Sequence, residues 1–145
     1  MNPDKKNLKI VLPGGAGLVG QNLVARLKAR GYQHIVVLDK HQANIAVLKK
    51  VQPDITVEYA DLAEQGTWQD HIKDADVVVM LQAQIGGNDY QDFVRNNLDA
   101  TKWILQSIKE SGRARLIHIS SSVVESVADD FYTNTKKLQE RMVLD

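Results

Sequence analysis

The segment Pro13-Gly14-Gly15-Ala16-Gly17-Leu18-Val19-Gly20 follows a short apolar run and opens a stretch of helical spacing. Read as Gly15-x-Gly17-x-x-Gly20 or Gly14-x-x-Gly17-x-x-Gly20, it suits a pyrophosphate cradle. Its glycines permit a tight turn, let backbone approach the phosphates, and let helix and strand pack closely. The free N–H groups and positive end of the following helix then stabilise the anion. A glycine-rich turn without a ligand is common, so context must decide. Here a strand precedes and a helix follows, and Asp39 closes the next apolar run, Val36-Val37-Leu38-Asp39. A carboxylate at that distance accepts from the adenosine ribose hydroxyls and repels a 2′-phosphate, which favours NAD over NADP. Lys40 and His41 beside it soften that preference, and an Asp capping the second helix is the plainer alternative. No Gly-x-x-x-x-Gly-Lys-Ser/Thr arrangement occurs, which argues against a P-loop NTPase.

A second group stands near the C-terminus, in Tyr132-Thr133-Asn134-Thr135-Lys136. Residues four apart on a helix share a face, so phenol and ammonium can be neighbours. A nearby cation favours phenolate and brings tyrosine towards the working range of a general base. Upstream, Leu116-Ile117-His118-Ile119 runs into Ser120-Ser121-Ser122, at a strand end where open α/β sheets place ligands. A serine there can hydrogen-bond a reacting hydroxyl or carbonyl. Alone, each is as well explained by a surface pair or a turn; their order after the glycine loop and Asp39 gives them weight.

These groups need a scaffold, and the chain has a pattern for one. Strands are expected at Leu8–Leu12, His34–Leu38, Ile55–Tyr59, Asp76–Leu81 and Arg115–Ser120. The run Val77-Val78-Val79-Met80-Leu81 suits a strand buried on both faces of a parallel sheet. Between them, Leu18, Leu23, Val24 and Leu27 mark a helix stopped at Gly31, and Ile45 and Leu48 a shorter one. Phe93, Leu98, Thr101, Ile104, Leu105 and Ile108 mark a long helix ending near Gly112, and a last helix runs from about Phe131. The alternation predicts an α/β fold, a Rossmann-type doubly wound parallel sheet of five strands in the order 3-2-1-4-5. One domain spans all 145 residues. Its 18 basic and 18 acidic side chains cancel, which gives no field for nucleic acid or an anionic membrane. Cysteine is absent, so disulfides and thiol chemistry are excluded. His34, His41 and His71 make no metal spacing, and His118 is expected to be packed. Trp68 and Trp103 read as packing anchors, and Asp129-Asp130 as the start of the last helix. Without a signal or membrane-spanning run at the N-terminus, a cytoplasmic location is expected.

With these residues in order, the chain resembles the extended short-chain dehydrogenase/reductases, the NAD-dependent epimerases and dehydratases that include UDP-galactose 4-epimerase-like enzymes. Gly14 to Gly20 resembles the glycine motif, with Gly14, Gly15, Gly17, Leu18, Val19 and Gly20 at the cofactor. Asp61-Leu62 is similar to the pair that contacts adenine; Leu81, Gln82 and Ala83 fall in the small-residue segment beside the cofactor. Asn97-Leu98-Asp99-Ala100-Thr101 is similar to the Asn-x-x-Gly-Thr segment. Ser122 matches the catalytic serine, and Tyr132 and Lys136 the catalytic pair. The resemblance implies Tyr132 as acid/base and Ser122 as polariser of the substrate oxygen. Lys136 would lower the tyrosine pKa and hold the nicotinamide ribose. It implies hydride transfer between a nucleotide-sugar carbon and the nicotinamide, and a homodimer through helices at Asp89–Lys109 and Phe131–Leu144.

Four departures matter. Pro13 replaces a usual Thr. Gln82 stands where a small residue leaves room, so it crowds the cofactor or donates a new hydrogen bond to it. The span from Ser122 to Tyr132 is short, and the C-terminal strands and substrate domain of the family are not in this sequence. On that ground the chain alone is expected to be inactive. Two other readings stay open: a non-catalytic NAD(P)-binding module, and an atypical NADP-dependent reductase of small carbonyl compounds.

Overall fold

The computed structural model describes residues 3–145, with the side chains of Pro3 and Lys5 outside the description. Strands β1 (Lys9–Pro13), β2 (His34–Asp39), β3 (Thr56–Tyr59), β4 (Val77–Met80) and β5 (Arg115–His118) form one parallel sheet. Its order is β3-β2-β1-β4-β5, as the strand–helix alternation predicts. Helices α1 (Leu18–Ala29), α2 (Gln42–Val51), α3 (Trp68–Lys73), α4 (Tyr90–Phe93), α5 (Ala100–Ser111) and α6 (Phe131–Leu144) lie between and after the strands.

Side-chain alternation sorts the core into two layers. Val11, Val36, Leu38, Val78 and Met80 meet Trp68 and Ile72 of α3 and Ala100 and Ile104 of α5. On the other face Ile10, Leu12, Ile35, Val37, Val57 and Val79 meet Val24 of α1 and Ile45 and Leu48 of α2. Both faces of the central strands are therefore covered, which is why β2 and β4 read as unbroken apolar runs. β5 is an edge strand, and Ile117 on it and Ile119 just past its end remain exposed.

Several boundaries differ from expectation by a residue or two. β1 starts and ends one residue late, because Pro13 needs no N–H to pair: its carbonyl accepts from Leu81 N–H at 2.9 Å. β4 starts after Asp76, whose carboxylate accepts from Lys9 N–H at 2.8 Å and from Arg113. β5 stops at His118, and the chain then turns through a 3-10 segment, Ser122–Glu125. The expected long helix is divided: α4 passes through a π-helical turn, Val94–Asp99, into α5. That wider turn carries Asn97, which is fully buried.

Smaller expectations also have their outcomes. Gly31 and Gly112 sit at positive φ after α1 and α5, where a Cβ would be strained. Asp130 caps α6 by accepting from Thr133 N–H at 2.7 Å, and Asp129 accepts from the Asn134 amide. Trp68 is buried, and the indoles of Trp68 and Trp103 donate to the Glu64 and Ala63 carbonyls. His118 is half-buried with neither ring nitrogen hydrogen-bonded. Burial, then the charge of Lys136, holds it below its ordinary pKa against the opposing pull of Glu140. Among the described residues no cluster of metal-ligating side chains occurs, and no helix is long and apolar enough to cross a membrane.

Candidate cofactor site

At the C-terminal ends of β1, β2 and β4 lies a cleft of about 470 Å³. It brings together Gly14, Gly17, Leu18, Val19, Gly20, Asp39, Asp61, Leu62, Leu81, Gln82 and Ala83. Strand order explains the assembly: β1 is central, so the loop after it faces the loops after β2 and β4. Lys40, His41, Asn44, Gln84, Ile85 and Asn96 also line the cleft. The sequence carries no local signal for Asn44, Ile85 or Asn96, which come from three separate segments.

The glycines divide by what holds them. A Cβ on Gly14, at φ +75°, would lie 2.4 Å from Gln82 N; one on Gly15 would lie 2.8 Å from Leu12 Cβ and O. One on Gly20 would lie 2.1 Å from Gly15 O, inside the contact of helix and loop. The fold itself therefore demands these three. At Gly17 the nearest heavy atom is Gly14 O at 3.9 Å, in ordinary contact, and its φ is −73°. Nothing in the protein requires glycine there. Gly17 is the N-cap of α1, and the first helical bond runs from Gln21 N–H to Gly17 O at 2.9 Å. The N–H groups of Leu18, Val19 and Gly20 therefore lack helical acceptors at the cleft wall.

Asp39 fastens this loop to β2. Its Oδ2 accepts from Ala16 N–H and its Oδ1 from His41 N–H, both at 3.0 Å. It does not cap α2; His41 does, accepting from Asn44 N–H at 3.3 Å. Lys40 reaches away from Asp39 to the Asn96 side-chain carbonyl at 2.6 Å, and the Asn96 amide donates to Gln84 at 2.8 Å. Asp61 accepts from Ala63 N–H at 3.1 Å and from Arg95 at 2.6 Å. Burial alone would raise the Asp61 carboxyl, but Arg95, the Ala63 N–H and the charge of Lys40 together hold it below its usual value. Arg95, which also pairs with Glu64 at 2.6 Å, was not foreseen as part of this end of the site.

Gln82 lines the cleft with one amide N–H turned inward. Its Nε2 donates to Thr101 Oγ1 at 3.3 Å, while its Oε1 is buried without a partner. Asn97 lies behind the wall: its Oδ1 accepts from Gln84 N–H at 2.7 Å and its Nδ2 donates to Thr135 Oγ1 at 3.0 Å. It thereby ties the loop after β4 to α6.

Ser122, Tyr132 and Lys136 are not among the residues that line the cleft. Ser122 is exposed at the start of the 3-10 turn, and Tyr132 is half-buried on the first turn of α6. Among the described residues no hydrogen bond joins the three. Lys136 is buried and donates to the Gln139 side-chain carbonyl and, at 3.5 Å, to Ile119 O. Burial holds its ammonium below the ordinary lysine value, with Glu140 opposing.

A model of the NAD dependent epimerase/dehydratase family matches residues 10–141. The chain is 32% identical to the sterol-4-alpha-carboxylate 3-dehydrogenase, decarboxylating, of Mus musculus, over 99% of this chain and 42% of that one. It thus spans about two-fifths of the length of these curated relatives. Among solved structures, the UDP-glucuronic acid 4-epimerase of Bacillus cereus in complex with NAD is 28% identical, with a TM-score of 0.79. That match covers 94% of this chain and 52% of that one. WbmG of Bordetella bronchiseptica, in complex with NAD, shares the fold at a TM-score of 0.85 and 18% identity, over 99% of this chain and 51% of that one.

Proposed function

Because the chain belongs to the NAD dependent epimerase/dehydratase family, we propose that it binds NAD in the cleft above and supplies the cofactor half of a hydride-transfer enzyme acting on a nucleotide-sugar. The observation that carries this reading is Gly17, a glycine the protein's own packing does not need, at the helix end that faces the cleft. A pyrophosphate oxygen approaching that backbone would explain it. Asp39, already oriented by two backbone N–H groups, keeps lone pairs for ribose hydroxyls. Asp61 and Leu62, which line the same cleft, would contact the adenine. NAD, when bound, supplies the hydride acceptor and donor.

The chain's own residues would handle the proton. Tyr132 would take or return it at the substrate hydroxyl, Lys136 would hold the nicotinamide ribose, and Ser122 would hydrogen-bond the reacting oxygen. Gly14, Gly20, Leu18 and Val19 would form the phosphate side, with Leu81 and Gln82 packed against Gly14 and Ala83 following them along the cleft. A second substrate reading, dehydrogenation of a sterol carboxylate, is favoured by the 32% identity to the Mus musculus enzyme. It shares the same proton and hydride transfers.

The test is a thermal melt of this chain with NAD and, in parallel, NADP. A ligand at about a hundred times its Kd stabilises by ~2.7 kcal/mol, or about 5–10 °C for a domain of this size. NAD should give that rise and NADP a much smaller one. No rise with either refutes the cofactor assignment. On top of NAD, a further rise with UDP supports the nucleotide-sugar reading; a rise with a sterol carboxylate and none with UDP replaces it.

A further inference from the structure

The orphaned oxygen of Gln82 has a cause that can be followed residue by residue. Lys136 carries only donors, so the Gln139 amide must turn its oxygen towards that ammonium. The Gln139 Nε2 then donates to Thr101 Oγ1 at 3.0 Å. Gln139 and Thr101 are both fully buried, so neither has water to fall back on. Thr101 spends its one proton on Asn97 O at 2.7 Å and accepts on its remaining lone pairs. Gln82 therefore meets an acceptor and turns its Nε2 inward, at 3.3 Å. Its Oε1 is left over, in a side chain that lines the cleft beside Gly14. Reversing the amide would set its oxygen against Thr101 Oγ1, whose one proton is already used, and leave both amide N–H groups unpaired. The charge on α6 thus fixes which atom Gln82 has to offer.

We propose that Gln82 is a cofactor-positioning residue, its side-chain oxygen accepting a hydrogen bond from a ribose hydroxyl of the bound dinucleotide, with its orientation set by Lys136 through Gln139 and Thr101. The inference rests on the NAD-binding reading above. It makes Gln82 an acceptor, since its oxygen is the side-chain atom left with no partner while its nitrogen is already engaged by Thr101. A buried acceptor without a partner destabilises the free protein, and a ligand hydroxyl relieves that cost. Stability of the free chain and affinity for NAD should then move in opposite directions when the oxygen is removed, which a merely structural glutamine would not produce.

The experiment compares the wild-type chain with Gln82→Met, similar in shape but lacking the orphaned oxygen and, with it, the long bond to Thr101, and Gln82→Ala, which has a small side chain. Melting temperature without ligand and Kd for NAD are measured for each. Gln82→Met should melt about 3 °C higher than wild type and bind NAD about tenfold more weakly. Gln82→Ala should also bind more weakly. An unchanged Kd in Gln82→Met, or a lower melting temperature, overturns the proposal and leaves NAD binding intact. Tighter binding by Gln82→Ala overturns it too, because Gln82 would then be an obstruction. A wild-type chain that binds no NAD refutes the cofactor assignment and the proposal with it.

Discussion

Replacing Gly17 with alanine separates what the glycine loop does for the fold from what it does for a ligand. The new methyl would stand 3.9 Å from Gly14 O and meet nothing closer, at a φ of −73° that alanine adopts freely. Restricting the unfolded chain stabilises by about 0.4–1 kcal/mol, and alanine is a poorer N-cap than glycine by a similar amount. The two offset, so the free Gly17→Ala chain should melt within about 2 °C of wild type. NAD binding should suffer instead, because the methyl occupies the line along which a phosphate oxygen approaches the α1 N–H groups. Losing one charge-assisted hydrogen bond costs about 1.5–3 kcal/mol, a rise in Kd of roughly 10- to 150-fold. At a hundredfold rise, an NAD concentration that stabilises wild type by ~2.7 kcal/mol stabilises the variant by only ~0.4 kcal/mol. The ligand-induced rise in melting temperature then falls from about 5–10 °C to about 1 °C. Gly20→Ala is the control, since its Cβ would lie 2.1 Å from Gly15 O and should cost the fold itself. A wild-type NAD response in Gly17→Ala refutes the ligand role, and a collapse of its ligand-free melting temperature refutes the packing argument.

Asp39→Ala should weaken NAD binding and narrow the gap between NAD and NADP, read by titrating both; an unchanged ratio would remove Asp39 from the ribose site. Some stability should go with it, because Ala16 and His41 N–H lose their acceptor. His118 gives a pH test. Its folded pKa is depressed by burial and by the charge of Lys136, so the unfolded chain takes up the proton first as pH falls. Its stabilising contribution is complete above the unfolded value of about 6.5 and is lost as pH falls through the folded value. Denaturant melts of His118→Leu should lose that part of the slope below about pH 6.5; an identical slope would mean that other groups carry it.

How much of this was legible in the sequence depends on whether a feature is local. Pattern along the chain determined the parallel sheet, its strand order and the glycine loop with Asp39 beyond it. Each rests on short-range physics: apolar runs that need two covered faces, glycines at positive φ or at close approach, and the side-chain period of two. The six-residue α3 escaped because one and a half turns carry little periodicity, and it is held by Trp68 and Ile72 in the core. The π turn at Val94–Asp99 escaped for a similar reason: its residues suit an ordinary helix, and burial of Asn97 accompanies the wider turn.

Direction of side chains was decided only in three dimensions. The sequence places Tyr132 and Lys136 one turn apart, yet the ammonium is held by Gln139 and the Ile119 carbonyl. Gln82 reads as bulk beside a cofactor, yet Thr101 draws its amide nitrogen inward and leaves an oxygen. Lys40 stands next to Asp39 in the chain but reaches across to Asn96. A buried polar atom takes whichever partner the folded neighbours provide, and those neighbours lie on other elements of the chain. Sequence order therefore determined the sheet and the loop that form the cleft, while tertiary contact decided which atoms around it are still free to bind.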